Sequence, residues 1–212
     1  MSSFTTSNGA WPNPRRLLLG LTIGLGLAIA VALAGGRALV EAVLSITTPT
    51  FLGCIDDRFD ILFLGLDHTA QDTVIRLRTN LTKLLVVGTH VVYPHPKGWL
   101  EVTTTVGAML QPLTIGLALV GAWPAKARTR LLRLLLVAVL GLAFMLLDIP
   151  LTLHAYTWDM FIERYDPGHV SPLMLAHRFL HGGGRLAVGL ILAALAIQLV
   201  PGDRRQRTAN VH

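Results

Sequence analysis

His177-Arg178-Phe179-Leu180-His181 places two imidazoles four residues apart, so a helix there would carry both on one face. Imidazole nitrogens bind zinc or copper and ligate haem iron. Asp166 and His169 lie close in sequence, and His154 ends an apolar run. His154, His169, His177 and His181 are therefore the candidate metal or haem ligands. Two facts weigh against them. Histidine rings also suit the headgroup region of a bilayer without binding anything. An HxxxH spacing also lacks the glutamate of the HExxH zinc motif. The reading carried forward has no cofactor, with zinc, copper or haem as the alternative.

Asp148 sits inside an apolar run, two residues before Pro150 and roughly 9 Å from the end of that run at His154. A carboxylate in hydrocarbon costs a few kcal/mol and is a functional-site candidate by default. Gln111, next to Pro112, and Arg185 are its candidate partners at the same depth. One reading is a polar pocket for a substrate, a peptide or a proton, which makes a small transport module around Asp148 a further alternative. The other, favoured here, is an Asp148–Arg185 pair that joins two helices. The absence of an internal repeat weakens the transport reading.

Cys54 is the single cysteine, so there is no intrachain disulfide. Asp56 and Asp57 beside it disfavour a thiolate, although Arg58 offsets them in part, and packing is the expected role. Asn80-Leu81-Thr82 fits a glycosylation sequon. His181-Gly182-Gly183-Gly184-Arg185 reads as a hinge before a helix rather than an anion site. No Walker motif, dinucleotide fingerprint or nucleophile elbow occurs.

The elements that must hold these residues follow from hydropathy and charge. Hydrophobic residues make up 52% of the chain and charged ones 14%, where about 25% is usual for a soluble domain. Basic residues cluster at Arg15-Arg16, at Lys126-Arg128-Arg130-Arg133 and at Arg204-Arg205-Arg207. These clusters alternate with apolar runs in the positive-inside pattern. The net charge of +6 thus points to a lipid bilayer and anionic headgroups, with no nucleic acid as partner.

The expected fold is an all-α membrane protein with four transmembrane helices, at 15–36, 103–123, 131–154 and 185–201, and both termini cytoplasmic. Residues 1–14, 124–130 and 202–212 face the cytoplasm. Residues 37–102 form a small external β-containing domain, with strands expected at Ile61–Leu64, at Thr73–Arg78 and within Lys83–Val92. Residues 155–184 form an external loop whose Ser171–His181 stretch reads as an interfacial helix. Trp11, Trp99, Trp123 and Trp158 fall near the ends of these spans, as an interfacial belt requires.

The first run admits a rival reading as a secretory signal cleaved after Ala32-Leu33-Ala34. A retained helix is favoured because Gly20, Gly24, Ala28, Ala32 and Gly36 recur every fourth residue. Such a stripe lets another helix approach closely, either within the chain or from a partner.

The layout resembles the small membrane proteins that accompany exosortases, bacterial membrane enzymes that process C-terminal sorting tags. The resemblance rests on size, on the β-containing insertion after the first span, and on Gly183-Gly184-Arg185 leading into the last. It implies an accessory role in the bacterial inner membrane. The enzymes themselves use a cysteine, an arginine and a histidine among their spans, whereas Cys54 lies outside the spans expected here. The function expected is a non-enzymatic accessory or assembly subunit that docks another integral membrane protein through the small-residue stripe.

Overall fold

The computed structural model describes residues 14–46, 48–69 and 72–201. The tails at 1–13 and 202–212, with Trp11 and Arg204-Arg205-Arg207, lie outside the described residues, as do the side chains of Arg15 and Arg16. The described chain is mixed α/β. Its helices are α1 (Pro14–Ile46), α2 (Thr48–Ile55), α3 (Val106–Ala122), α4 (Ala127–Tyr165), α5 (Pro172–Phe179) and α6 (Arg185–Leu199). Its strands are β1 (Phe59–Thr69), β2 (Asp72–Leu81), β3 (Leu85–Val87), β4 (His90–Val92) and β5 (Leu100–Thr105).

This corrects the expected all-α fold with four transmembrane helices. Two helical stretches are long and apolar enough to cross a membrane, Ala127–Tyr165 and Pro172–Leu199. A third qualifies only if the two halves of α1, Leu18–Ala30 and Ala32–Ser45, bent by 51°, count as one span. The remaining apolar helix, α3, has 17 residues and is shorter than those stretches. The reason lies at its start. Val102-Thr103-Thr104-Thr105 is β-branched throughout and pairs with β2, so the sheet takes residues that hydropathy assigns to the helix. Thr105 then caps α3 by accepting from the Ala108 N–H at 3.4 Å.

The main sheet has the order β1-β2-β5, antiparallel throughout. β2 lies in the centre and buries Ile75, Leu77, Thr79 and Leu81 on one face, the period of two expected of a half-covered strand. Residues 83–92, expected to supply the third strand, form a separate hairpin, β3–β4, turned at Gly88 with φ 57°. The third strand is β5.

The sheet rests on one end of the helices. Ile75, Leu77 and Val102 share a core with Val40 and Leu44 of α1, Met109 of α3, and Met145, Ile149 and Leu153 of α4. Each such side chain removed from water contributes about 1.5–3 kcal/mol. α4, at 39 residues, runs past the expected boundary at His154, and its last turns carry Phe161 and Ile162 under the β3–β4 hairpin and Met174 of α5. A helix this long extends about 58 Å, nearly twice the hydrocarbon thickness. Farther along, small residues let the helices approach closely. Gly116 of α3 faces Val137 of α4, and Gly189 of α6 sits against Pro112 and Ile115 of α3. Arg133, buried on α4, donates from Nε to the Val200 carbonyl at 2.9 Å and so satisfies the end of α6.

Candidate functional site

α4 is the backbone of two buried polar clusters. In the first, Asp148 and Thr152 lie one turn apart on the same face, and Thr152 Oγ1 donates to Asp148 Oδ1 at 2.9 Å. Arg185, at the start of α6, completes the set. Its Nε donates to Asp148 Oδ2 at 2.8 Å, and its Nη2 donates to Asp148 Oδ1 at 3.1 Å and to Thr152 Oγ1 at 2.8 Å. All three residues are buried. The chain reaches this geometry through a kink at Leu180–Gly184, where Gly183 has φ 114°, a conformation that favours glycine. The hinge expected at Gly182-Gly183-Gly184 thus aims Arg185 at α4. Both carboxylate oxygens are engaged, so this arrangement joins α4 to α6.

The second cluster lies where α4 meets the loop after α2. Arg58 grips Asp56 through Nε–Oδ1 and Nη2–Oδ2 contacts of 2.7 Å each, and its backbone N–H donates to Oδ1 at 3.1 Å. The Arg58 guanidinium also stacks over Trp158, 5.2 Å from the ring centre. His154 Nε2 stands 3.9 Å from Asp56 Oδ2, and its ring meets Phe59 and Trp158 edge-on. Burial pushes the Asp56 carboxyl up, but the hydrogen bonds and charge of Arg58 outweigh it and hold Asp56 below its ordinary value. Hydrogen bonding to Asp56 raises Arg58 further above its own. The sequence offered little signal for this cluster, because Asp56 and Arg58 are ordinary loop residues until α4 extends beyond His154 to meet them.

The four candidate metal-ligating histidines fall in three places. His154 belongs to the Asp56 cluster. His169 Nδ1 lies 3.7 Å from Asp166 Oδ2 on the loop before α5. His177 and His181 stack with ring centres 6.0 Å apart, and His177 packs edge-on against Tyr156 at 4.4 Å. Among the described residues, no three His, Cys, Asp or Glu side chains converge closely enough to hold a metal ion. Cys54 is exposed on α2.

The small-residue stripe of α1 faces α3 of the same chain. A Cβ on Gly24 would lie 2.8 Å from the Ala118 carbonyl oxygen, one on Gly20 3.4 Å from that of Ala122, and one on Gly36 2.3 Å from a Leu110 methyl. Ala28 is half-buried, and Ala32 packs on the main core. Gly20, Gly24 and Gly36 thus pack against an internal helix. Gln111 does not reach Asp148–Arg185. It lines an open groove of about 710 Å³ between α1 and α3 and makes no side-chain hydrogen bond among the described residues.

One surface stands out at the sheet. β1, 11 residues long, is the longer of the sheet's two edge strands, and its outer row of backbone groups pairs with no strand among the described residues. Leu62 and Phe63 project from it, 55% and 45% exposed. A register shift between Ile61 and Phe63 interrupts the ladder there. Comparison with known proteins finds no matching family model, no matching curated protein and no matching solved structure.

Proposed function

We propose that this chain is a non-enzymatic accessory or assembly subunit of a membrane complex, multi-pass in a bacterial inner membrane, with both termini in the cytoplasm. The kind of complex proposed is an exosortase-type protein-sorting system. Its sheet end would then face outward and meet the partner membrane protein. The observation that carries this reading is the free edge of β1. A long edge strand with exposed apolar side chains is a template for pairing with another chain. The occupant proposed is an extended external segment of the partner, added as a fourth strand beside β1. Leu62 and Phe63 would supply apolar contact, and the backbone would supply the hydrogen bonds.

Two further features support this reading. The intramembrane charges are spent on joining α4 to α6, which fits a structural part better than a transporter. Gly183-Gly184-Arg185, on which the resemblance partly rests, has a structural task in setting that pair. The test is a photo-crosslinker placed at Phe63 in the native membrane. A single integral membrane protein captured at high yield, and lost when Leu62→Lys is added, supports the proposal. Equal, diffuse labelling of many proteins refutes it.

A further inference from the structure

The groove between α1 and α3 is apolar along most of its length and charged at one end. Leu25, Ile29 and Leu33 recur at helical spacing along its α1 wall and are 40%, 44% and 81% exposed. Arg37 continues that stripe one turn further, toward the sheet. Its guanidinium meets no carboxylate at ion-pair distance among the described residues. It lies instead 3.2 Å from His68 Nε2, and His68 Nδ1 lies 3.4 Å from Thr73 Oγ1. A ring nitrogen that accepts from Arg37 leaves the other to donate to Thr73, so a neutral His68 steadies Arg37 without cancelling its charge. Asp72 lines the same mouth.

On the α3 wall, Gln111 lies about 3 Å deeper than Arg37, two residue rises along the helices. The antiparallel register sets this, since Gly36 abuts Leu110 and Gly24 abuts Ala118. α3 packs against α4 and against α6, the last part of the Pro172–Leu199 stretch, so its side chains share the depth of the two stretches long enough to cross a membrane. An unpaired amide at that level is costly in pure hydrocarbon and calls for a hydrogen-bonding ligand.

The order of groups along the groove is cation and anion, then amide, then hydrocarbon. A phospholipid presents the complementary order of phosphate and ammonium, then ester carbonyls, then acyl chain. We propose that the groove binds one zwitterionic, ethanolamine-type phospholipid. Its phosphate sits at Arg37, its ammonium at Asp72, an ester carbonyl at the Gln111 amide, and one acyl chain along Leu33, Ile29 and Leu25. The groove's volume falls within the ~300–1,000 Å³ common for ligand sites. The inference stands whether or not a partner pairs with β1.

The test is native mass spectrometry of the full chain in nanodiscs made from equal parts phosphatidylethanolamine, phosphatidylglycerol and phosphatidylcholine, with a photo-crosslinker at Leu33 as a second readout. One retained phosphatidylethanolamine per chain is expected. Arg37→Ala or Gln111→Leu should each lower its occupancy about tenfold, the scale of one lost charge-assisted or buried hydrogen bond. Arg37→Lys, which keeps the charge, should retain most of it, and so separates lost binding from lost folding. Asp72→Asn should shift retention toward phosphatidylglycerol. The proposal is overturned by equal retention of the three lipids, by occupancy indifferent to both Arg37→Ala and Gln111→Leu, or by a Leu33 cross-link to a protein in native membranes.

Discussion

Arg185 and Asp148, 37 residues apart in sequence, meet through two hydrogen bonds of 2.8 and 3.1 Å with both side chains buried. Removing one partner from such a pair leaves an uncompensated charge and costs about 3–5 kcal/mol, whereas replacing both with apolar groups can be close to neutral. Asp148→Leu and Arg185→Met should each destabilise the chain by that amount, and the double variant by clearly less than either. Unfolding in mixed detergent micelles would measure all three. Additive losses would show that the two side chains do not act as a pair.

Gly24 and Gly26 lie on the same helix but in different surroundings. A Cβ at Gly24 would meet the Ala118 carbonyl oxygen at 2.8 Å, and one at Gly26 meets nothing within 4 Å. Gly24→Leu should loosen α1 from α3 at a cost of about 1–3 kcal/mol, and Gly26→Leu should cost nothing. Thermal melts of the two purified variants check this. Similar melting temperatures would mean that α1 and α3 do not pack as described.

The Asp56–Arg58 pair predicts an acid-sensitive contact at the sheet end of α4. The carboxyl lies below its ordinary value of 3.8 when folded. A depressed acid stabilises the fold fully above its unfolded value and loses that contribution as pH falls through the folded one. The contribution of Asp56 should therefore be complete and independent of pH near neutrality, and be lost as pH falls below about 4. Fluorescence of Trp158, against which Arg58 stacks, gives the readout, and Asp56→Asn should remove the acid phase. An unchanged acid phase in that variant would assign it to another group.

The extent to which this molecule is legible in its sequence follows from the strength of each physical signal. Asp148 and Arg185 are readable as a pair because two opposite charges in apolar helices have few other partners. The strands at Ile61–Leu64, a short apolar run, and at Thr73–Arg78, which partly alternates, are readable in the sequence, and they fall within β1 and β2. Val102–Thr105 misleads because β-branched residues at the start of an apolar run suit a strand and a helix equally by hydropathy. Only pairing with β2 decides between them. The continuation of α4 to Tyr165 is hidden because Asp159, Glu163 and Arg164 end the apolar signal while the helix persists. The Arg58–Trp158 contact follows from that continuation and is invisible without it. The α1 stripe announces close packing, but spacing alone does not say against what, and α3 supplies the answer.

Arg133 offers a further check at the opposite end. Its Nε donates to the last turn of α6 at 2.9 Å from within the buried interface. Arg133→Met keeps most of the side-chain volume and leaves the Val200 carbonyl without that donor, at a cost of about 1–3 kcal/mol. Hydrogen exchange should then rise in the last turn of α6 and not around Arg185. A uniform rise along α6 would contradict a local anchoring role.

The accessory reading is tested most directly by purifying the native chain in mild detergent, with mass spectrometry and a visible absorbance scan on the same eluate. The prediction is a colourless complex with one integral membrane partner in fixed stoichiometry, released when Leu62→Lys and Phe63→Lys spoil the β1 edge. A chain that elutes alone, carrying a Soret band or bound zinc or copper, would contradict it and return His154, His169, His177 and His181 to the centre of the problem.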